Sequence, residues 1–225
     1  MFTPDPRHGP LVPMLLVLTV VTGLVDAVSY LRLGHVFVAN MTGNVVFLGF
    51  ALAGAAGLSA TASLSALAAF VLGALVGGHL ARRLPDHRGR LLTTAMVGQV
   101  VLVAASIALA AVAGYTSDPA RYGLIGLLAF AMGGQNAVVR SLKVPDLTTT
   151  VLTMTITALA ADRTGPRRLA SAVWMFVGAL VGALLIRQAD VPVALTLALT
   201  LLVAVAALTH RAAGAHPAPA WTHPL

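Results

Sequence analysis

Six apolar runs, each long enough to cross a lipid bilayer, constrain this sequence more than any other feature. A helix needs roughly 20 apolar residues to span a hydrocarbon core of ~30 Å. The runs cover residues 11–31, 64–81, 91–113, 122–139, 169–186 and 191–209. Because 58% of the 225 residues are hydrophobic and only 9% are charged, the sequence predicts an all-α polytopic membrane protein.

Two shorter apolar stretches are interrupted by polar residues. The first, 41–57, is entered through Asn40, Thr42 and Asn44. The second, 147–161, carries six threonines, namely Thr148, Thr149, Thr150, Thr153, Thr155 and Thr157. Stretches of this length form either a tight span or a re-entrant, broken helix.

The basic residues distinguish these two options. If both short stretches re-enter, only Arg32, Arg121 and Arg187 of the 14 Arg and Lys residues lie outside. If all eight stretches span, the two sides carry nearly equal numbers. The positive-inside rule therefore favours six crossings with both termini cytoplasmic. We accordingly expect a cytoplasmic segment (1–10), a membrane domain (11–209) in the plasma or inner membrane, and a disordered tail (210–225) rich in Pro, Ala and His.

Composition excludes several classes of function. The net charge of +7 comes mostly from short breaks between apolar runs, which is typical of topology-setting loops and not of a nucleic-acid-binding face. The chain has no Cys, and all of its acidic residues are Asp. It also lacks the HExxH and GxSxG motifs. We therefore expect no enzymatic activity, no metal and no cofactor.

The chain contains an internal repeat. The sequence GALVG occurs at 73–77 and again at 178–182. Upstream, Asp26 corresponds to Asn136, and the segment 42–44 corresponds to 153–155, at similar separations. These matches predict one duplicated unit, with repeats of about 11–113 and 120–209. With three crossings in each unit, the halves would be inverted, which is a recurring plan in transporters. The GxxxG pairs within the matched segments are expected to pack helices closely, between the two halves.

Polar residues inside the apolar sequence are the candidate functional residues. Asp26 is the only ionisable residue well inside a predicted span, where a carboxylate either lines a pathway or is paired. The Asn40 region resembles the start of a half-helix, whose exposed N–H groups suit an anionic or polar solute. Neutral amides near 135 can line a permeation path, whereas an isolated Gln99 suggests a structural hydrogen bond. The predicted binding residues are Asp26, Asn40, Thr42, Gly43, Asn44, Gln135, Asn136, Thr149, Thr150, Thr153 and Thr155.

Four segments stand out together: Asp26-Ala27, the VANMTGN run at 38–44, the GQNA run at 134–137 and the LAAD run at 159–162. In this combination they resemble the YoaK-type family of bacterial integral membrane proteins. The resemblance covers about 15–208. It implies about six membrane spans and implies no particular activity.

The leading hypothesis for function is a small transporter or channel for a small polar or anionic solute. Asp26 is then the candidate for proton coupling. The alternative is a non-transporting membrane subunit or assembly factor. The expected partners are the lipid bilayer, a small solute and a second copy of the chain, with no nucleic acid.

Overall fold

The computed structural model describes residues 8–144, 166–214 and 220–223, with the side chains of 166–168 left out. In this part of the chain there are seven α-helices and one short 3-10 helix, and no strand. The helices are α1 (Leu11–Arg32), α2 (Met41–Leu52), α3 (Ala60–Arg83), α4 (Arg88–Ala113), α5 (Asp118–Ser141), α6 (Pro166–Gln188) and α7 (Val191–Ala213), followed by the 3-10 helix Ala220–Thr222.

Six of the helices are long and apolar enough to cross a membrane, which confirms the six predicted spans. They contain 22 to 26 residues, or about 33 to 39 Å at 1.5 Å per residue. Their outward surfaces carry exposed apolar side chains such as Leu75, Val101 and Phe176, as a lipid-facing surface requires. In α1, by contrast, 72% of the most apolar window is buried, so α1 forms the centre of the bundle.

Glycines allow two pairs of helices to pack with their backbones in close contact. A Cβ added at Gly73 of α3 would lie 2.0 Å from the carbonyl oxygen of Phe130 in α5. A Cβ added at Gly178 of α6 would lie 2.1 Å from the carbonyl oxygen of Val20 in α1. Both distances are far below van der Waals contact, so only glycine fits. The predicted packing role of the GxxxG pairs is confirmed.

The order of these contacts gives the helix directions. Gly77 meets Gly134 just as Gly73 meets Phe130, so α3 and α5 run parallel, and α6 and α1 do the same. Pairs such as Gln99 with Gln135 and Leu109 with Gly123 make α4 antiparallel to α5. The contacts Thr22–Gln135 and Gly34–Arg121 show in the same way that α1 is antiparallel to α5. The contacts Gly89–Ala213 and Tyr115–Asp190 show that α7 is antiparallel to α4.

As a result, α1 ends and α3 begins at the same end of the bundle. The intervening α2 therefore does not cross, and the first short stretch is a 12-residue helix as predicted. At the opposite end, α5 ends where α6 begins. The second short stretch, 147–161, lies outside the described residues.

The C-terminal region differs from the expected disordered tail. Helix α7 continues past 209 to Ala213, and Trp221 is only 5% exposed. Its indole lies beside Gly9 and Gly89, and its carbonyl accepts a hydrogen bond from Arg88. The indole buries its large apolar surface here, so these tail residues pack against the bundle.

Candidate functional site

The first polar cluster joins Asp26 to the linker between α1 and α2. The Asp26 side chain is 4% exposed. Its Oδ1 accepts hydrogen bonds from the backbone N–H groups of Val38 (2.9 Å) and Ala39 (2.8 Å), and its Oδ2 accepts one from the Asn40 side-chain amide. Asp26 lies six residues before the end of α1, so the linker returns about 9 Å along that helix to reach it.

Asn44 holds the same linker from the other side. Its Oδ1 accepts a hydrogen bond from the N–H of Phe37 (2.8 Å), and its Nδ2 donates to the carbonyl oxygen of Phe37 (2.6 Å). The Phe37 ring lies against Gly43, where a Cβ would come within 2.7 Å of it, and it stacks on Tyr30. We call Asp26, Asn44 and the linker residues 37–40 the α2 latch.

The latch changes how the predicted half-helix must be understood. Helix α2 begins immediately after Asn40, as expected, but the Asn40 side chain makes no cap and instead binds Asp26. The backbone N–H groups of Val38 and Ala39, next to the helix start, already bind the protein's own carboxylate. Thr42 is exposed and takes no part in the cluster.

A second polar cluster crosses three helices. The Nε2 of Gln99 in α4 donates to the Oε1 of Gln135 in α5 (2.8 Å). The Nε2 of Gln135 donates to the hydroxyl of Thr22 in α1 (3.2 Å), which donates to the carbonyl oxygen of Leu18 (2.9 Å). The three side chains are at most 3% exposed. We call Gln99, Gln135 and Thr22 the amide chain.

The structure brings together only some of the predicted binding residues. Asp26, Asn40 and Asn44 meet in the latch, with Gly43 beside it, while Gln135 belongs to the amide chain. Asn136, which the sequence predicts as the counterpart of Asp26, instead donates to the carbonyl oxygen of Met132 in its own helix (2.9 Å). Thr149, Thr150, Thr153 and Thr155 lie outside the described residues.

Sequence reasoning missed the polar face of α1. Thr19, Thr22, Asp26 and Ser29 are all buried, and their spacing of 3, 4 and 3 residues places them on one side of the helix. This stripe connects the two clusters, since Asp26 is one turn from Thr22. The signal was present as a heptad-like polar pattern inside an apolar run. The hydroxyls of Thr19, Thr22 and Ser29 are bonded to carbonyls within α1.

The described part of the chain has cavities outside the latch. One of about 270 Å³ is at the end of the bundle, beside Arg88 and Lys143. Another, of about 120 Å³, lies between α3, α4 and α5 and reaches Gln99 and Gln135. No group of His, Asp or Glu within the described ranges is arranged to hold a metal ion.

These features define a class of protein: a helical multi-pass membrane protein with a non-crossing helix fixed to buried polar groups. Residues 14–208 match the family described as "Protein of unknown function (DUF1275)", and the chain belongs to that family. It is similar to the UPF0700 transmembrane protein YoaK of Bacillus subtilis (strain 168), at 32% identity over 153 residues, which cover 68% of this chain and 67% of that protein. No solved structure matches the chain.

Proposed function

We propose that this protein is a small transporter or channel for a small polar or anionic solute, built from two inverted halves. The observation that carries this proposal is the exchange of helix contacts between the halves. Gly178 follows Gly73 by 105 residues, and its partner Val20 precedes Phe130 by 110 residues. The contact between α3 and α5 is thus repeated by the contact between α6 and α1. The residues of the two contacts are separated by the same numbers of positions as the matching segments of the sequence repeat.

The helix directions support the same arrangement. Within the first half, α1, α3 and α4 alternate in direction, and α5, α6 and α7 alternate in the opposite sense. Inverted repeats that contain discontinuous helices are typical of secondary transporters. Of the basic residues whose side chains the structure describes, Arg32, Arg121 and Arg187 lie at one end of the bundle. The others lie at the opposite end: Arg82, Arg83, Arg88, Arg90, Arg140, Lys143 and Arg211. We infer that the end with more basic residues faces the cytoplasm and that the membrane is the plasma or inner membrane.

In this proposal the α2 latch is a gate. Releasing the linker from Asp26 frees the backbone N–H groups of Val38 and Ala39, which can then bind an anionic or polar solute. A proton on Asp26 occupies one of the lone pairs that accept these hydrogen bonds, so protonation weakens the latch. Asp26 thereby couples the gate to proton movement.

One observation favours the alternative of a non-transporting membrane subunit. The oxygens of Asp26 and the amide of Asn44 are bonded within the chain, so the latch needs no solute to satisfy it. In that case the latch only fixes α2 to α1, and the buried polar groups stay inaccessible to water at all times.

Because the chain has no Cys, single cysteines can distinguish the two proposals. We suggest Thr22→Cys in proteoliposomes, treated with a small anionic methanethiosulfonate reagent that does not cross the bilayer. A transporter must expose this position to water in some state, and Asp26→Asn should accelerate the modification by loosening the gate. Ala55→Cys, in the exposed α2–α3 turn, is the positive control, and the outward-facing Val101→Cys is the negative control.

The same proteoliposomes test proton coupling. With a pH-sensitive dye inside, external addition of small carboxylates, inorganic phosphate or polyols should produce proton flux for one of these classes. Flux with unchanged pH dependence in Asp26→Asn would remove the coupling role. No modification of Thr22→Cys in either background, together with no flux, would favour the subunit.

A further inference from the structure

The cavity of about 120 Å³ between α3, α4 and α5 owes its existence to the way these helices pack. Both α3 and α4 pack along α5 but hardly touch each other, which leaves a groove with α5 as its floor. Gly73 and Gly77, which pack against the α5 backbone, line one wall, and Gly98 lines the other. A Cβ at Gly98 would meet no atom within 4 Å, so the lack of a side chain at this position helps to keep the groove open.

The groove faces outward at mid-depth. Gln99 is the twelfth of 26 residues in α4, so it lies about 17 Å from the start of that helix. At the mouth, Val76 is 56% exposed, and Thr94 and Gly98 are exposed as well. Because α3, α4 and α5 are membrane-spanning helices, a molecule entering here comes from the lipid phase.

One of the residues that line the groove, Gln99, has a side-chain acceptor without a partner in the described part of the chain. Thr22 gives its only hydroxyl proton to Leu18, so Gln135 must donate to Thr22, and Gln99 must donate to Gln135. In this order of donors and acceptors, the Oε1 of Gln99 receives no hydrogen bond from the other members of the amide chain. That atom is buried and makes no hydrogen bond within the described part of the chain. A buried acceptor without a partner is costly and indicates a missing donor.

We propose that this groove binds a small, neutral, apolar molecule that carries one hydroxyl group and enters from the bilayer. The hydroxyl donates to the Oε1 of Gln99, and the apolar body fills the space along the glycines. A benzene ring occupies a dry cavity of about 150 Å³, so a phenol-sized head group suits this open groove, with any attached chain lying outward between α3 and α4. The site does not include the α2 latch, which is the gate of the proposed transporter.

The test uses a photoreactive long-chain phenol and its methyl ether, which has the same shape but no donor. The purified protein in nanodiscs is labelled with each probe and analysed by intact mass and peptide mapping. We expect labelling at the groove, with the phenol favoured about five-fold, the ratio that one neutral hydrogen bond supplies. Gln99→Leu should abolish this preference while the ether still labels the groove.

Gly98→Leu provides a second variant that breaks no hydrogen bond. A Cβ at Gly98 meets no atom within 4 Å, so the substitution should fold normally and block both probes. Gly126→Leu is the matched control, since a Cβ there also meets nothing and Gly126 does not line the groove. Equal labelling by phenol and ether in the unmodified protein, or labelling that survives Gly98→Leu, would overturn the proposal.

Discussion

The α2 latch and the amide chain are neighbours on one face of α1, yet they satisfy their polar groups differently. In the latch, a carboxylate accepts hydrogen bonds from two backbone N–H groups and one side-chain amide, and Asn44 pairs with both the N–H and the carbonyl oxygen of Phe37. In the amide chain, neutral groups bond one to the next, and the last acceptor is free.

The difference reflects the cost of burial. An unpaired charge in an apolar medium costs far more than an unpaired neutral carbonyl, so Asp26 requires several donors, and the linker between α1 and α2 provides them. A neutral chain tolerates one open end at about 1–3 kcal/mol. We therefore expect the latch to dominate stability and the amide chain to respond to ligands.

The largest effect is expected for Asp26→Leu. It leaves the N–H groups of Val38 and Ala39 and the amide of Asn40 without their acceptor. At about 1–3 kcal/mol for each stranded donor, we expect at least about 3 kcal/mol of destabilisation, together with protease cleavage in the linker. Thermal unfolding in detergent measures the first effect, and limited proteolysis measures the second.

The control for this prediction is Thr42→Val. Thr42 is in α2, the helix that the latch holds, but its side chain is exposed, so the melting temperature of the variant should equal that of the unmodified protein. If Asp26→Leu were as stable as Thr42→Val, the latch would not hold α2.

A smaller loss is expected for Asn44→Leu, about 2 kcal/mol, because two hydrogen bonds to Phe37 are removed. Asp26 and Asn44 hold the same linker, so the double variant Asp26→Asn/Asn44→Leu should lose less than the sum of its single variants. Strict additivity of the melting shifts would show that the two residues act independently.

The amide chain should show a weaker version of this coupling. Gln135→Leu strands the Nε2 of Gln99, and Gln99→Leu strands the Oε1 of Gln135, at about 1 kcal/mol each. The double variant removes both groups together, so we expect its loss to be smaller than the sum by about 1 kcal/mol. A double-mutant cycle of thermal unfolding measures this difference, and a coupling of zero would contradict the hydrogen bond.

Sequence reasoning found the spans because long apolar runs depend on local composition. It also found the close helix contacts, since GxxxG pairs state their spacing directly. It also placed Asp26 and Asn44 in one site, where both were expected to bind a solute. In the structure, both side chains instead bind backbone groups of the linker. The path of a linker depends on contacts between distant residues, such as Asp26 with Ala39, and no periodicity encodes it. The Gln99–Gln135 pair was missed for the same reason, because 36 residues separate its members.

The smallest effect is expected at Asp190. Like Asp26, this carboxylate accepts a backbone N–H and a side-chain donor, but it lies closer to solvent. Its Oδ1 accepts hydrogen bonds from the Tyr115 hydroxyl (2.8 Å) and from the N–H of Val191 (2.7 Å). The Tyr115 hydroxyl, and then the Val191 N–H, hold the pKa of the Asp190 carboxyl below its ordinary value. A lowered folded-state pKa stabilises the protein above the unfolded value of about 3.9, and this stabilisation is lost as the pH falls through the folded value.

Tyr115→Phe removes the larger of the two causes, so it should destabilise at pH 7 by no more than about 1 kcal/mol, because solvent screens the site. The difference in melting temperature between Tyr115→Phe and the unmodified protein should stay constant from pH 8 to about pH 5 and shrink below about pH 4. Asp190→Asn should remove this dependence on pH. A difference that instead grew on acidification would mean that the hydroxyl bonds the protonated carboxyl, and the contrast between charged and neutral polar sites would then not extend to the surface of the bundle.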